Sequence, residues 1–191
     1  MKVTLVRIEI RLGGLGGQGI IKSAVIIGEA ASIHDGKEAV QTASYGPESR
    51  GSACKAEVII SDTPVDYPLV LNPQVMVALS NDALQQYKDD LGEGAIVIID
   101  SDLVKAGKIK PGVQVYQVPA AATAHQVLNN PLVTNVVMLG AFTAITKTVT
   151  PKAMQKAIAN AFPKYRELNL RAFDEGMKLG QEALEQSSKT K

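Results

Sequence analysis

The sequence predicts a three-layer α/β domain, a mostly parallel, Rossmann-like sheet with helices on both faces, and three observations predict it. Two unbroken apolar runs, Val75-Met76-Val77-Ala78-Leu79 and Ile96-Val97-Ile98-Ile99, have the composition of central parallel strands covered on both sides. A helical stretch separates them, and a strand–helix–strand unit brings its two strands parallel through a right-handed crossover. Near the N-terminus a glycine run stands between an extended stretch and an apolar helical one, the order of a phosphate-cradling turn. At 191 residues, with no Pro/Gly/Ser-rich linker, the chain reads as one domain, residues 1–191.

The first element is a strand over Val3 to Leu12. Val6, Ile8, Ile10 and Leu12 alternate with Arg7, Glu9 and Arg11, which gives the strand one wet face. The first strand of a dinucleotide-binding sheet is normally apolar on both faces, so the charged side is read as solvated, with contact to another chain as the alternative. The helix that follows runs from near Gly17 to Ile33 and ends at His34-Asp35-Gly36. Glu38 to Thr42 and Cys54 to Ser61 are strands, with the loop Ala43 to Ser52 between them.

Gln74 to Ser80 and Ala95 to Asp100 are the central strands, and the helix between them starts at Ser80 or Asn81 and stops at Gly92. Gln114 to Val118 is a shorter strand. Ala120 to Leu128 is a helix whose His125 has no neighbour at ligand spacing and reads as structural. After Pro131, Asn135 to Ile145 is so apolar a helix that the fold or another subunit must enclose it. Thr150-Pro151 is an N-cap followed by proline at the first helical position, and Pro163 divides that helix from a last one over Lys164 to Gln186.

Composition excludes several classes of function. Twenty Lys+Arg against nineteen Asp+Glu leave a net charge of +1, so no global field draws the chain to nucleic acid or to an anionic membrane. A single cysteine, Cys54, excludes an internal disulfide and a Cys-built zinc or iron–sulfur site, and it reads as a small buried residue. Without an 18-residue apolar span or a signal-peptide core, the expected location is the cytoplasm.

The chemistry-bearing stretch is Arg11-Leu12-Gly13-Gly14-Leu15-Gly16-Gly17-Gln18-Gly19-Ile20. Gly14, Gly16 and Gly19 fit the G-x-G-x-x-G spacing, so Gly14, Leu15, Gly16, Gly17, Gln18 and Gly19 are the candidate ligand-binding residues. Glycines there permit positive φ, bring backbone N–H groups close to an anion and aim a helix N-terminus at it. A tight turn kept for packing alone is the alternative. An NAD site would carry an acid at the end of the second strand, but Thr42, Ala43 and Ser44 stand there; the absence of G-K-[ST] removes a P-loop ATPase. Two histidines, one cysteine and no paired acids supply no catalytic set and no metal set. The second loop, with Ser44, Tyr45 and Arg50, suits a polar ligand or a docking partner.

Gly14-Leu15-Gly16-Gly17-Gln18-Gly19 and Gln41-Thr42-Ala43-Ser44-Tyr45-Gly46-Pro47-Glu48-Ser49-Arg50-Gly51 are similar to two segments of the γ subunit of 2-oxoacid:ferredoxin oxidoreductases. Ser61-Asp62, Asp66-Tyr67-Pro68, Asp100-Ser101-Asp102, Asn135, Leu139-Gly140, Asn169 and Gly176 extend the resemblance over nearly the whole chain. The Tyr-Gly-Pro-Glu form resembles the 2-oxoglutarate branch rather than the pyruvate branch, and Ser52-Ala53-Cys54 departs from the usual pattern. The resemblance implies a subunit of a larger enzyme that converts 2-oxoglutarate and coenzyme A to succinyl-CoA and CO2. It places thiamine diphosphate, Mg2+ and [4Fe-4S] clusters on α, β or ferredoxin-like δ partners, with ferredoxin as electron acceptor. For this chain it implies assembly and coenzyme A binding, with Ser44, Tyr45 and Arg50 joining the glycine loop. A γ-type subunit for pyruvate, ketoisovalerate or indolepyruvate, and a nucleotide-binding or interaction module without oxoacid chemistry, remain the alternatives.

Overall fold

The computed structural model describes residues 7–45 and 53–189. Six strands, β1 (Arg7–Leu15), β2 (Glu38–Tyr45), β3 (Ala53–Ser61), β4 (Val75–Ala78), β5 (Ile96–Asp100) and β6 (Gln114–Val118), form one sheet in the order β2-β3-β1-β4-β5-β6. β1, β4, β5 and β6 pair in parallel, while β3 runs against both of its neighbours, so five strands share one direction and β3 alone opposes them. The sheet is mostly parallel, as its apolar runs predict. Their alternation over 38–45 and 53–61 specifies strands without specifying the reversal.

Six helices cover it: α1 (Ile20–Glu29), α2 (Asn81–Tyr87), α3 (Ala120–Gln126), α4 (Thr134–Thr146), α5 (Pro151–Ala161) and α6 (Arg166–Lys189). α1 continues through a π-turn, Ala30–His34, before Gly36 ends it at φ 67°. Ser80, the first of the two cap candidates, caps α2 by accepting from Ala83 N at 3.2 Å, and Thr150 caps α5 by accepting from Ala153 N with Pro151 following, as the sequence indicates. The main core joins α1, α3, α4, α5 and α6 to Ile10, Leu12, Val75, Val77 and Ile98 on one face of the sheet. Met76, Ala78, Val97 and Ile99 point the other way, against Leu84 of α2 and Leu91 and Val104. The alternation of side chains along each strand thus makes both layers.

Asn135 through Ile145 of α4 are buried without a break, so the fold itself encloses this apolar helix. α6 supplies the cover. A Cβ on Gly176 would collide with the carbonyl of Val137, and one on Gly140 with the backbone of α6, so the two glycines let the helix backbones touch.

The charged side of β1 is exposed at Arg7 but is not a wet face at Glu9 and Arg11. Arg11 is 4% exposed, its Nε donates to Glu57 at 2.7 Å, and its other nitrogens reach Asp90 and the carbonyl of Val70. Its guanidinium lies 5.0 Å from the centre of the Tyr87 ring, and Lys55 completes the cluster 3.2 Å from Glu57. Glu9 accepts from the backbone N–H groups of Leu71 and Asn72. Burying Arg11 is possible because partners 46 and 79 residues away in the chain neutralise it. Local alternation carries no trace of them.

Candidate functional site

The strand order reverses between β1 and β4: β1 leads through α1 toward β2 on one side, and β4 leads through α2 to β5 on the other. In an open α/β sheet the crevice for a ligand opens at the carboxyl ends of the strands at such a switch. A cavity of about 420 Å³ lies there. It is lined by Gly17, Gln18 and Gly19 after β1, by Leu79 after β4 and Leu103 after β5, with Asn135 of α4 and Phe162 among its other walls.

The glycines of the turn do different things. Gly13 and Gly14 serve packing: a Cβ on Gly13 would lie 2.8 Å from that of Ala83, and one on Gly14 2.6 Å from Gln18 Oε1. Gly17 at φ 98° and Gly19 at φ 75° adopt left-handed backbone that other residues rarely take. Gly19 is also the N-cap residue of α1, where a Cβ would meet the amide nitrogen of Asn135 at 2.5 Å. Gln18 folds back as a brace, accepting from Leu15 N at 2.6 Å and donating to Leu79 O at 2.9 Å. The turn therefore holds its shape without a ligand.

α1 begins with no side-chain cap and no acid in its first turn. The N–H groups of Ile20, Ile21 and Lys22 precede the first intrahelical donor, Ser23 N, which reaches Gly19 O at 2.9 Å. Gly19 before them and Lys22 among them line the cavity, at the positive end of the helix dipole. Lys22, exposed on the same turn and a lining residue, holds its ammonium 5.5 Å from the centre of the Phe162 ring. Among the described residues no carboxylate lines the cavity. Its chemistry is that of an anion site with apolar walls.

α3 starts at the same edge and is filled differently. Asp100, fully buried, accepts from Ala121 N and Asp102 N at 3.0 Å each, and Asp102 accepts from Ala122 N at 2.7 Å. Burial pushes the Asp100 carboxyl up to about 6 against the pull of these backbone donors.

Of the residues singled out in the sequence, Gly17, Gln18 and Gly19 line the cavity, whereas Gly14, Leu15 and Gly16 belong to the turn without lining it. Ser44 is exposed on β2, in register through Lys55 with Gly13, so the second loop leaves the sheet at the same end as the glycine turn. The side chain of Tyr45 and the whole of Arg50 lie outside the described residues. Lys22 and Asn135 were not singled out for the site: the first reads as a helix charge and the second as one polar residue in an apolar helix. Cys54 is buried, and burial pushes its thiol up, away from reactivity.

Residues 9–179 match the family model described as pyruvate ferredoxin/flavodoxin oxidoreductase. The chain belongs to that family. It is 49% identical over 178 residues to the 2-oxoglutarate synthase subunit KorC of Methanocaldococcus jannaschii, an alignment covering 92% of this chain and 95% of that one. Its fold is similar to the γ subunit of a keto/oxoacid ferredoxin oxidoreductase from Geobacter sulfurreducens, with a TM-score of 0.83 at 43% identity over 93% of this chain and 98% of the other. It is also similar, at a TM-score of 0.83 and 26% identity, to 31% of a chain of the 2-oxoglutarate:ferredoxin oxidoreductase of Magnetococcus marinus, a structure with 2-oxoglutarate, coenzyme A and succinyl-CoA bound. The resemblance carried by the two loops is thus a family membership, and in extent the chain is a γ-type subunit.

Proposed function

We propose that this chain is the γ subunit of a cytoplasmic 2-oxoglutarate:ferredoxin oxidoreductase and contributes the site for the 3′-phospho-ADP end of coenzyme A. The observation that carries the reading is the uncapped N-terminus of α1, with Lys22 on its first turn, opening on the cavity at the switch between β1 and β4. A pyrophosphate there accepts from the free N–H groups of α1 and is drawn by the helix dipole and the ammonium. The apolar walls, Leu79, Leu103, Leu132 and Phe162 among them, suit the uncharged parts of the same molecule.

In this reading decarboxylation and electron transfer belong to partner subunits that hold thiamine diphosphate with Mg2+ and [4Fe-4S] clusters and deliver electrons to ferredoxin. The chain binds and orients the acyl acceptor. Ser44, Tyr45 and Arg50 of the second loop are assigned to a second wall of the site or to the contact with those partners. The substrate assignment rests on the 49% identical relative named for 2-oxoglutarate.

The test is an assembled complex carrying Gly17→Val. The variant places a side chain at φ 98° in the cavity lining, so the KM for coenzyme A should rise about tenfold or more while CoA-independent decarboxylation of 2-oxoglutarate keeps its rate. Equal loss of both activities points instead to a role in assembly, and turnover of pyruvate in preference to 2-oxoglutarate overturns the substrate assignment.

A further inference from the structure

Tyr67, Leu69 and Leu71 are 57%, 48% and 61% exposed, three large apolar side chains at alternate positions of the segment between β3 and β4. Single exposed apolar residues are ordinary, but among the described residues no other stretch of five presents three. Of residues 66–72 only Val70 is buried, so the segment adds little to the core. Its backbone is nevertheless fixed by the charged residues of β1. Arg7 donates to the Tyr67 carbonyl and Arg11 to the Val70 carbonyl, at 3.1 Å each, and one carboxylate oxygen of Glu9 accepts from Leu71 N at 3.0 Å and Asn72 N at 3.3 Å. Pro68 and Pro73 restrict it further. The fold thus holds rigid a segment whose apolar side chains it does not bury, and rigidity lowers the entropy cost of binding.

The charges beside the segment say what covers it. Asp66 precedes it directly, and the turn of Asp89 is brought alongside because Arg11 holds Asp90 with the same guanidinium that holds Val70. Asp66 and Asp89 are exposed and form no ion pair among the described residues. Arg7 is already matched by Glu9 at 3.1 Å, and Lys88 donates to Gln85 at 2.7 Å. Resting on the reading of the chain as a subunit of a larger oxidoreductase, we infer that Tyr67, Leu69 and Leu71 form the ridge by which it docks on a companion subunit, in an apolar groove rimmed by Lys or Arg that meet Asp66 and Asp89. Such a surface covers the three side chains and supplies the cations those acids lack. A second copy of this chain fits worse, because a two-fold contact brings the same acids of both copies to one interface, charge against like charge. The segment precedes the amino end of β4, at the opposite edge of the sheet from the cavity, so a subunit seated there leaves the ligand's entry open.

The full chain is titrated onto the remaining subunits of the complex, and the bound fraction is read by native mass spectrometry, for wild type, the pair Leu69→Asp with Leu71→Asp, the pair Leu69→Met with Leu71→Met, and Asp66→Lys. The aspartate pair should weaken association about a hundredfold or more, since it places two carboxylates in the centre of the contact. The methionine pair, which keeps the volume and the apolar character, should stay within about threefold of wild type. Asp66→Lys should weaken association about fivefold at low salt and less at high salt. The aspartate pair alone should keep the Tm of wild type, because the two side chains are exposed in the free chain. Wild-type affinity in the aspartate pair overturns the ridge and leaves the reading of the chain as a γ subunit in place; a wild-type chain that binds no companion subunit overturns both. A fall in Tm of the aspartate pair on its own would assign the side chains to the chain's own packing, and a wild-type chain that sediments as a dimer which the aspartate pair makes monomeric would assign the ridge to a second copy. Either result overturns the inference.

Discussion

α1 and α3 both start at the carboxyl edge of one sheet, and both contribute to the same cavity, yet their N-termini are finished in opposite ways. α3 receives two carboxylates from its own chain, Asp100 and Asp102, which accept from Ala121 and Ala122. α1 receives none; its N-cap is a glycine in left-handed backbone and the charge on its first turn is positive. Both ends present the same orphan N–H groups and the same partial positive charge. The difference teaches where to look for ligand chemistry: the anion site is the helix start to which the fold has not supplied an anion. The same rule dismisses the Arg11 cluster, the most highly charged feature of the interior, because each of its charges is already matched by another.

The hardest way to break the comparison is to fill the N-cap of α1. Gly19→Val combines a φ of 75° with a Cβ pressed on the Asn135 amide at 2.5 Å, so it should cost about 3 kcal/mol of stability from backbone strain and overpacking together. Urea denaturation of the chain measures it. A loss below about 1 kcal/mol would mean that α1 can start elsewhere and that Gly19 does not hold the site's shape.

The carboxylate of α3 is tested by pH. Its folded pKa, about 6, lies above the ordinary 3.8, so the fold favours the protonated acid. That contribution is fully present below about pH 4 and is lost as pH rises through 6. Relative to Asp100→Asn, which cannot ionise, wild type should therefore lose up to about 3 kcal/mol between pH 4 and pH 7. Paired denaturation curves at several pH values read the difference. A difference that does not change with pH would show that the backbone donors fully offset the burial of the charge.

How much of this was legible in the residues depends on the range of the forces involved. Local patterns placed β4 and β5, the caps Ser80 and Thr150 and the turn before α1, since capping and side-chain period are decided within a few residues. Pairing between distant segments was not legible. β3 runs antiparallel because of its position between β2 and β1, which its own alternation does not encode. Arg11 read as solvated because Glu57 and Asp90 are far along the chain. In the site, the glycine turn was visible and its division of labour was not: only the fold shows that Gly13 and Gly14 serve packing while Gly17 and Gly19 shape the lip. Asn135 was hidden inside the most apolar helix of the chain, and its place in the cavity wall exists only once α4 is seated against α1.

The smallest effect sharpens the comparison most. Lys22→Glu gives α1 what α3 already has, a carboxylate in the first turn. Reversing the charge from unfavourable to favourable at a helix start is worth about 1 kcal/mol at low salt, and losing the exposed contact between Lys22 and the Phe162 ring costs about 0.5 kcal/mol. The net gain of about 0.5 kcal/mol should raise Tm by about 1 to 2 °C in low salt and vanish in high salt. In the assembled complex the same carboxylate repels phosphate, so the KM for coenzyme A should rise. Stability and ligand affinity then move in opposite directions from one substitution, which is the behaviour of a helix start kept uncapped for a ligand. A variant that is less stable than wild type at low salt, or whose KM is unchanged, would place the two helix starts in the same class and remove the reason for assigning the ligand to α1.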